Sequence, residues 1–393
     1  MKILHCSDIH LGKKPFGTKD FSQKRYLDFF KTFDEIIDIG IGENIDLFIV
    51  AGDLFDKKEL TPDTLERCEK SFQKLKNREI PVFLIEGNHD NISGNEEINS
   101  WLGYLEKKGF VHRGKYTAIN REYIFEKFTL KDVNIYGLGY PGFVIDDVLD
   151  KLSLQLDEEE KNIVVVHTAL GGGEYLPGLA MSESIKKLKD KCIYIAGGHL
   201  HSYQVYPKDN PYFFIPGSLE YWNILNERSN QKGGIIFDTD TREFKFVEVT
   251  PRKRLEVIFE YIEDIKEEFK SFCENLNLTG EELVIVNVKV RENGFVNVTE
   301  LEGILESYGA LKAYIKLRYS DNITGDIINE KGYYTIKEAE RRIISEWEDF
   351  RDSDRTLEYL QKFKEYQEES ERKEDFLTLF DRMLEEEIGI ENK

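Results

Sequence analysis

Five short apolar runs of strand length each break off directly into a polar motif, and that repeated join limits what this chain can fold into. The runs are Ile3-Leu4-His5-Cys6, Leu47-Phe48-Ile49-Val50, Val82-Phe83-Leu84-Ile85, Ile163-Val164-Val165-Val166 and Ile193-Tyr194-Ile195-Ala196. Near-continuous apolar runs predict strands covered on both faces, and the helical patterns between them predict βα units. Thr61-Pro62 predicts a helix start, an N-cap followed by proline at the first helical position, with Leu65, Cys68, Phe72 and Leu75 on one face. The expected class is α/β. Each motif would then lie at the carboxyl end of a strand, where the sites of open α/β sheets collect.

The motifs are Asp8-Ile9-His10, Gly52-Asp53-Leu54-Phe55-Asp56, Gly87-Asn88-His89-Asp90, Val166-His167 and Gly198-His199-Leu200-His201, and they hold five of the seven histidines. Gathering Asp, Asn and His in one place is costly unless something positive sits among them. Oxygen and imidazole ligands without thiolate suit manganese, iron(II) or zinc better than magnesium. Asp8, His10, Asp53, Asn88, His167, His199 and His201 supply seven side chains, too many for one ion with open positions and enough for two if Asp53 bridges. Two ions about 3.5–4 Å apart activate a bound water and clamp a phosphoryl group, so phosphoester hydrolysis is the expected reaction. His89 diverges from Asn88 along the backbone and is assigned to the substrate phosphate or leaving oxygen, as donor or general acid. Asp56 or Asp90 would hold its ring. His5 is expected to be a hydrogen-bonded strand histidine, and His112 a surface residue near a turn.

The chain has 393 residues, 40% of them apolar, enough for a large catalytic domain and smaller units. No run approaches the roughly 18 apolar residues of a membrane span, and the N-terminus enters a strand at once, so no membrane association and a cytoplasmic location are expected. Cys6, Cys68, Cys192 and Cys273 have no paired spacing, which argues against a disulfide framework or thiolate zinc site. A net charge of −21 weighs against a free-standing nucleic-acid binder. Lys13, Lys14, Lys19, Lys57 and Lys58 nevertheless follow the first two motifs, and Arg252, Lys253 and Arg254 sit at an expected domain junction.

Residues 1–250 form the expected catalytic domain. Residues 251–320 read as a small βαβαβ capping unit: Leu255–Tyr261, a helix over Asp264–Glu274, Glu282–Val290, a helix opened by Thr299 and Glu302, and Ala313–Arg318. A polar linker is expected over 321–335. In 336–393, Ile336, Ala339, Ile343, Trp347 and Phe350 share one helical face, and Phe376, Phe380, Met383, Leu384 and Ile388 another. Such faces need a covering surface, and another protein's groove is expected to supply it.

The ordered motifs resemble the calcineurin-like metallophosphoesterase superfamily. The wording Asp8-Ile9-His10-Leu11-Gly12, Gly52-Asp53-Leu54-Phe55-Asp56, Gly87-Asn88-His89-Asp90 and Gly198-His199-Leu200-His201, with Pro216-Gly217-Ser218-Leu219-Glu220 after it, looks like the SbcD/Mre-eleven branch of DNA double-strand-break repair nucleases. The resemblance covers most of the chain. It implies a two-sheet α/β sandwich flanked by helices, a small α+β capping domain and C-terminal helices. It also implies manganese-dependent 3′-to-5′ exonuclease and single-strand endonuclease activity, with an SbcC- or Rad-fifty-type ATPase partner bound through the C-terminal helices around Trp347 and Phe380. By that resemblance Asp8, His10, Asp53 and His201 hold one metal, Asp53, Asn88, His167 and His199 the other, and His89 matches the catalytic histidine. Homodimerisation would use the segments with Leu65, Phe72, Trp101 and Leu105. Asp56 stands where archaeal and eukaryotic members carry histidine, a departure that bears on the balance of endo- and exonuclease action.

Two rivals remain at this stage. One is a phosphodiesterase or phosphatase of the same superfamily acting on nucleotides or small phosphoesters, which would not need the chain beyond residue 250. The other is a scaffold with structural metals, against which His89 argues, since closed structural sites leave no open coordination position.

Overall fold

Twelve strands build two six-stranded sheets. In chain order they are β1 (Lys2–Cys6), β2 (Leu47–Ala51), β3 (Val82–Ile85), β4 (His112–Arg113), β5 (Lys127–Leu130), β6 (Val133–Gly137), β7 (Lys161–Val166), β8 (Tyr194–Gly197), β9 (Gln204–Tyr206), β10 (Phe213–Ile215), β11 (Gly233–Asp238) and β12 (Phe244–Glu248). The first sheet has the order β12-β11-β1-β2-β3-β4 and the second β9-β10-β8-β7-β6-β5. Their central strands are parallel, with Ile3 opposite Leu47, Phe48 opposite Val82 and Ile163 opposite Tyr194. Antiparallel strands close three of the four edges, and β4 pairs parallel to β3 at the fourth. This computed structural model describes residues 1–90, 100–119, 122–171, 178–227, 229–260, 265–290, 296–319, 327–329, 332–334, 355 and 359.

Strand alternation explains why the runs are apolar throughout. Ile3, Leu47, Ile49, Ala51, Phe83 and Ile85 point between the sheets at Val133, Ile135, Ile163, Val165, Tyr194 and Ala196. Their alternates Leu4, Cys6, Phe48, Val50 and Leu84 pack against α1 (Lys19–Gly42) and α2 (Pro62–Lys76) through Phe33, Ile36, Ile37, Cys68, Phe72 and Leu75. On the far side Val164, Val166 and Ile195 meet Val148, Leu149 and Leu152 of the helix Ile145–Gln155. The layers run helix, sheet, sheet, helix. Both faces of the central strands are dry, and each large side chain so buried contributes about 1.5–3 kcal/mol.

Local signals start the helices. The Thr61 hydroxyl accepts from Thr64 N at 3.3 Å with Pro62 at the first helical position, and Thr18 accepts from Phe21 N at 3.2 Å. Each such cap contributes about 1 kcal/mol. His5 lies between the sheets, its Nδ1 2.9 Å from the Tyr194 hydroxyl and its Nε2 3.0 Å from the Gly197 carbonyl. Burial lowers its pKa to about 3, so it is a neutral structural residue. His112 is exposed and stacks on Phe128. All four cysteines are free and buried.

The βαβαβ pattern appears as strands Arg254–Glu260, Leu283–Val290 and Lys312–Tyr319, hydrogen-bonded in that order, with helices Ile265–Asn275 and Val298–Ser307 between them. The cap of the second helix differs from expectation. Asn297 accepts from Glu300 N at 3.3 Å, and Thr299 lies inside the first turn, so the helix, which buries Leu301 and Leu305, starts two residues earlier. Phe21, Tyr221, Ile224, Leu283 and Ile285 form one buried cluster joining this small sheet to the core. Arg252 bridges Asp28 and Glu281 beside it, and Arg25, fully buried, pairs with Asp28 and Glu220.

Met1–Val288 with Phe295–Leu317 forms one compact unit; Lys289–Gly294 with Arg318–Lys393 forms a second. Inside the stretch expected as a linker, Ile327–Asn329 pairs antiparallel with Gly332–Tyr334. The amphipathic faces built on Ile336, Ala339, Ile343, Trp347 and Phe350, and on Phe376, Phe380, Met383, Leu384 and Ile388, lie outside the described residues. Phe72 and Leu105, assigned above to a dimer face, are fully buried in the chain's own core, with Leu65 and Trp101 partly buried against it.

Candidate metal centre

The first two motif segments continue the pairing of β1 with β2 past the sheet edge. Asp8 N donates to Gly52 O at 3.1 Å, Ile9 N and His10 N both donate to Asp53 O at 2.9 and 3.0 Å, and Leu11 N donates to Leu54 O at 2.8 Å. Asp8, His10 and Asp53 leave the extended path by adopting φ of 52° each, and His199 does so at 76°. Left-handed backbone costs a non-glycine residue about 1–3 kcal/mol and persists only where its surroundings over-determine it. The Asp90 carboxylate supplies part of that constraint, accepting from Leu54 N at 2.8 Å, Phe55 N at 3.3 Å and Gly87 N at 2.6 Å, so that the Asp53 and Asn88 turns are tied together. The glycines flanking the turns are needed for closeness. A Cβ on Gly52 would lie 2.2 Å from His167 Nδ1, and one on Gly87 2.0 Å from Asp53 Oδ1.

All seven expected ligands meet where the carboxyl ends of β1, β2, β3, β7 and β8 converge. On one side His10 Nε2 lies 3.2 Å from His201 Nε2 and 3.9 Å from Asp53 Oδ2, and His201 Nε2 lies 3.9 Å from Asp8 Oδ1. On the other side Asn88 Oδ1 is 3.0 Å from His167 Nε2 and 3.1 Å from His199 Nδ1, and His167 Nε2 is 3.4 Å from Asp53 Oδ2. Asp53 is common to both halves.

The chemistry of this set fits a pair of divalent cations. His167 Nδ1 donates to the Ala51 carbonyl at 2.8 Å, and His201 Nδ1 to Glu227 Oε1 at 3.0 Å, so both rings direct Nε2 lone pairs at carboxylate, amide oxygen or imidazole neighbours. Lone pairs facing lone pairs need a cation or a proton between them. Asp8 Oδ1 and His10 Nδ1 are buried without a hydrogen-bond partner among the described residues, a costly state for an apolar interior. Ligand atoms of Asp8, His10 and His201 lie within 4.8 Å of one another, as do those of Asp8, Asp53 and His167 and those of His10, Asp53 and His89.

Without a cation, the charges sort themselves by burial and neighbours. Burial raises the Asp8 carboxyl, partly opposed by His167 and His201. Burial would do the same to Asp53, but the charge and hydrogen bond of His167 hold it well below the ordinary carboxylate range. Burial would lower His167, yet Asp53 and Asp8 keep it at about 9. Burial, joined by the His167 charge, brings His199 down to about 4, and burial, opposed by Asp53 but joined by the charges of His201, His89 and Lys13, takes His10 well below its ordinary value. Asp90 is pushed up to about 7 by burial and by Asp53.

His89 stands at the rim. Its backbone N donates to Asp53 Oδ1 at 2.9 Å, and its ring Nδ1 donates to the Asp56 backbone carbonyl at 2.9 Å. The carboxylates expected to hold this ring do not. That of Asp90 is taken up by three backbone N–H groups, and Asp56 Oδ1 accepts from Trp222 Nε1 at 2.7 Å with Lys13 Nζ at 3.4 Å and His10 Nδ1 at 3.7 Å.

Several residues of the site carry no local signature in the sequence. Trp222 lies 5.5–5.7 Å, ring to ring, from His10, His89 and His201, with Lys13 Nζ 3.9 Å above its face. Tyr140 sits 5.8 Å from the His199 ring and 6.0 Å from that of His167. Glu227 holds His201 and is itself paired with buried Lys232, which also donates to Ser218 Oγ at 2.7 Å. Only Ser218 fell within a quoted motif.

The chain is similar to known proteins over most of its length. The DNA double-strand break repair protein Mre11 of Archaeoglobus fulgidus is 27% identical over 375 residues, covering 88% of this chain and 79% of that protein. The protein of the same name from Sulfolobus acidocaldarius is 26% identical over 397 residues, covering 92% and 98%. That from Methanosarcina mazei is 26% identical over 352 residues, covering 84% of this chain and about half, 52%, of the longer relative. Residues 1–203, which carry every proposed ligand, match the family model of the calcineurin-like phosphoesterases. The chain belongs to the calcineurin-like phosphoesterase family, whose members work through a dinuclear divalent-metal centre.

Proposed function

We propose that this phosphoesterase is a manganese-dependent DNA nuclease, with 3′-to-5′ exonuclease and single-strand endonuclease activity, acting in double-strand-break repair with an SbcC- or Rad-fifty-type ATPase. The observation that carries the reading is the convergence of seven ligands on two half-sites sharing Asp53, in a chain aligned over most of its length with three repair proteins. Asp8, His10, Asp53 and His201 would hold one metal and Asp53, Asn88, His167 and His199 the other. When bound, such a pair lowers the pKa of a coordinated water and neutralises charge on the scissile phosphate.

The chain's own groups do the rest. The hydrogen bond to the Asp56 carbonyl fixes the proton of His89 on Nδ1, which leaves Nε2 as the atom that meets the substrate, and a protonated Nε2 donates to a departing oxygen. Asp53 stays ionised and presents both oxygens, one also fixed by His89 N, so the bridge and the acid are held in register. Trp222 and Lys13 wall the His10 side, and Tyr140 the His199 side. The acidic balance of the chain implies that much of the DNA contact comes from the partner, gripped through residues 336–393, in a homodimer of the nuclease. Among the described residues no helix is long and apolar enough to cross a membrane; a cytoplasmic location is part of the same proposal.

The test is nucleotide release from 3′-labelled duplex and nicking of circular single-stranded DNA, with manganese chloride and with chelator. Metal-dependent cleavage of both is expected. Hydrolysis confined to a chromogenic diester, with both DNAs intact, would transfer the chain to the small-phosphoester reading. Removal of the chain from Ile336 onward should abolish co-purification of the ATPase.

A further inference from the structure

We infer that Glu227 is a positioning residue through which the small three-stranded sheet sets the His10/His201 half of the metal centre. The inference rests on the dinuclear reading above.

Glu227 is nearly buried and uses both oxygens: Oε1 lies 3.0 Å from His201 Nδ1 and accepts from Asn223 N at 2.7 Å, and Oε2 pairs with Lys232 Nζ. A carboxylate on the far nitrogen of a metal-ligating imidazole fixes the tautomer, aims the ring and raises its basicity. His167 obtains the corresponding hydrogen bond from the Ala51 carbonyl, which belongs to β2 in a main sheet. The two halves of the centre are therefore anchored to different parts of the fold.

One anchor of Glu227, Lys232, directly precedes β11 of a main sheet, and the others lead to the small sheet. Arg254, on the first strand of the small sheet, donates to the Glu227 carbonyl, and Lys316, on its third strand, donates to the Leu225 carbonyl at 2.8 Å. Tyr221 and Ile224, on the same stretch, are buried against Leu283 and Ile285 of the middle strand. All three strands thus grip residues 221–227, and that stretch carries both the carboxylate that orients His201 and Trp222, which flanks its ring. No comparable contact with the small sheet reaches Asn88, His167 or His199 among the described residues. A displacement of the small sheet therefore acts on one half-site and spares the other.

The experiment is calorimetric titration of the metal-free full-length chain and of Glu227→Gln and Lys316→Ala with manganese chloride, alongside electron paramagnetic resonance for the spin-coupled pair. In the parent chain two binding steps and a coupled spectrum are expected. Glu227→Gln should weaken one step about 10- to 100-fold and leave the other in place, replacing the coupled spectrum by that of an isolated ion. Lys316→Ala, remote from the ligands and partly exposed, should weaken the same step by less. Equal weakening of both steps, or no change in either variant while the parent binds two ions, overturns the inference. A parent chain that binds no pair of ions overturns the dinuclear reading itself, and this inference with it. Should Glu227→Gln fail to fold, Lys316→Ala decides alone by the selectivity of its effect.

Discussion

His167 donates its Nδ1 proton to the carbonyl of Ala51 at 2.8 Å, so a residue at the end of one sheet is oriented by the last residue of a strand in the other. With Nδ1 committed, Nε2 faces Asn88 and Asp53. In the metal-free chain Asp53 and Asp8 outweigh burial and keep the ring protonated up to about pH 9.

That protonation gives a pH dependence with a definite sign. The folded-state pKa lies above the ordinary 6.5, so the pairing stabilises the metal-free protein fully below pH 6.5 and is lost as pH rises through about 9. A metal must displace the same proton, so uptake at neutral pH should release about one proton at this half-site, and affinity should fall as pH falls. Calorimetry in buffers of different ionisation enthalpy reads the proton directly. Heat independent of buffer would refute the assignment.

His89→Asn should lower the rate of phosphodiester hydrolysis by about 10²- to 10⁴-fold, the usual worth of a general acid, while both metals remain bound. Rates measured at saturating manganese, with metal content checked in parallel, separate the two effects. Unimpaired hydrolysis would remove His89 from the mechanism.

Gly87→Ala places a Cβ 2.0 Å from Asp53 Oδ1 and 2.3 Å from Asp53 N, so the Asp53 carboxylate must move. The expected cost is about 1–3 kcal/mol in stability, with loss of paired metal binding. Gly303→Ala is the contrast: it lies within the helix Val298–Ser307 with nothing within 4 Å of the added carbon. That change should stabilise by about 0.5–1 kcal/mol, read as a raised urea midpoint.

Lys232→Met leaves Glu227 buried without its cation and should cost about 3–5 kcal/mol. The two partners both shift downward for different reasons: burial lowers the ammonium, and the His201 hydrogen bond and Lys232 charge overcome burial to hold Glu227 at about 2. Because the folded value lies below the ordinary 4.5, this stabilisation is present above pH 4.5 and lost as pH falls toward 2. Acid unfolding of the parent chain and of Lys232→Met should therefore differ most above pH 4.5. Identical urea midpoints at pH 7 would contradict the pairing.

What the sequence determined by itself was local and periodic. The alternating burial of Ile3, Leu4 and Cys6 or of Leu47, Phe48 and Ile49, the cap at Thr61 and the identity of the ligand side chains are all set within a few residues, and short-range rules reach them. The tertiary structure alone decided which groups support those ligands. Glu227 meets His201 across 26 residues of chain, Trp222 meets Asp56 across 166, and Ala51 meets His167 across 116. Such pairs depend on which strands lie side by side, and no periodicity records that. For the same reason the ring of His89 is held by the backbone of Asp56 while its carboxylate turns to Trp222: the choice between two groups of one residue is made by the neighbours the sheets bring to it.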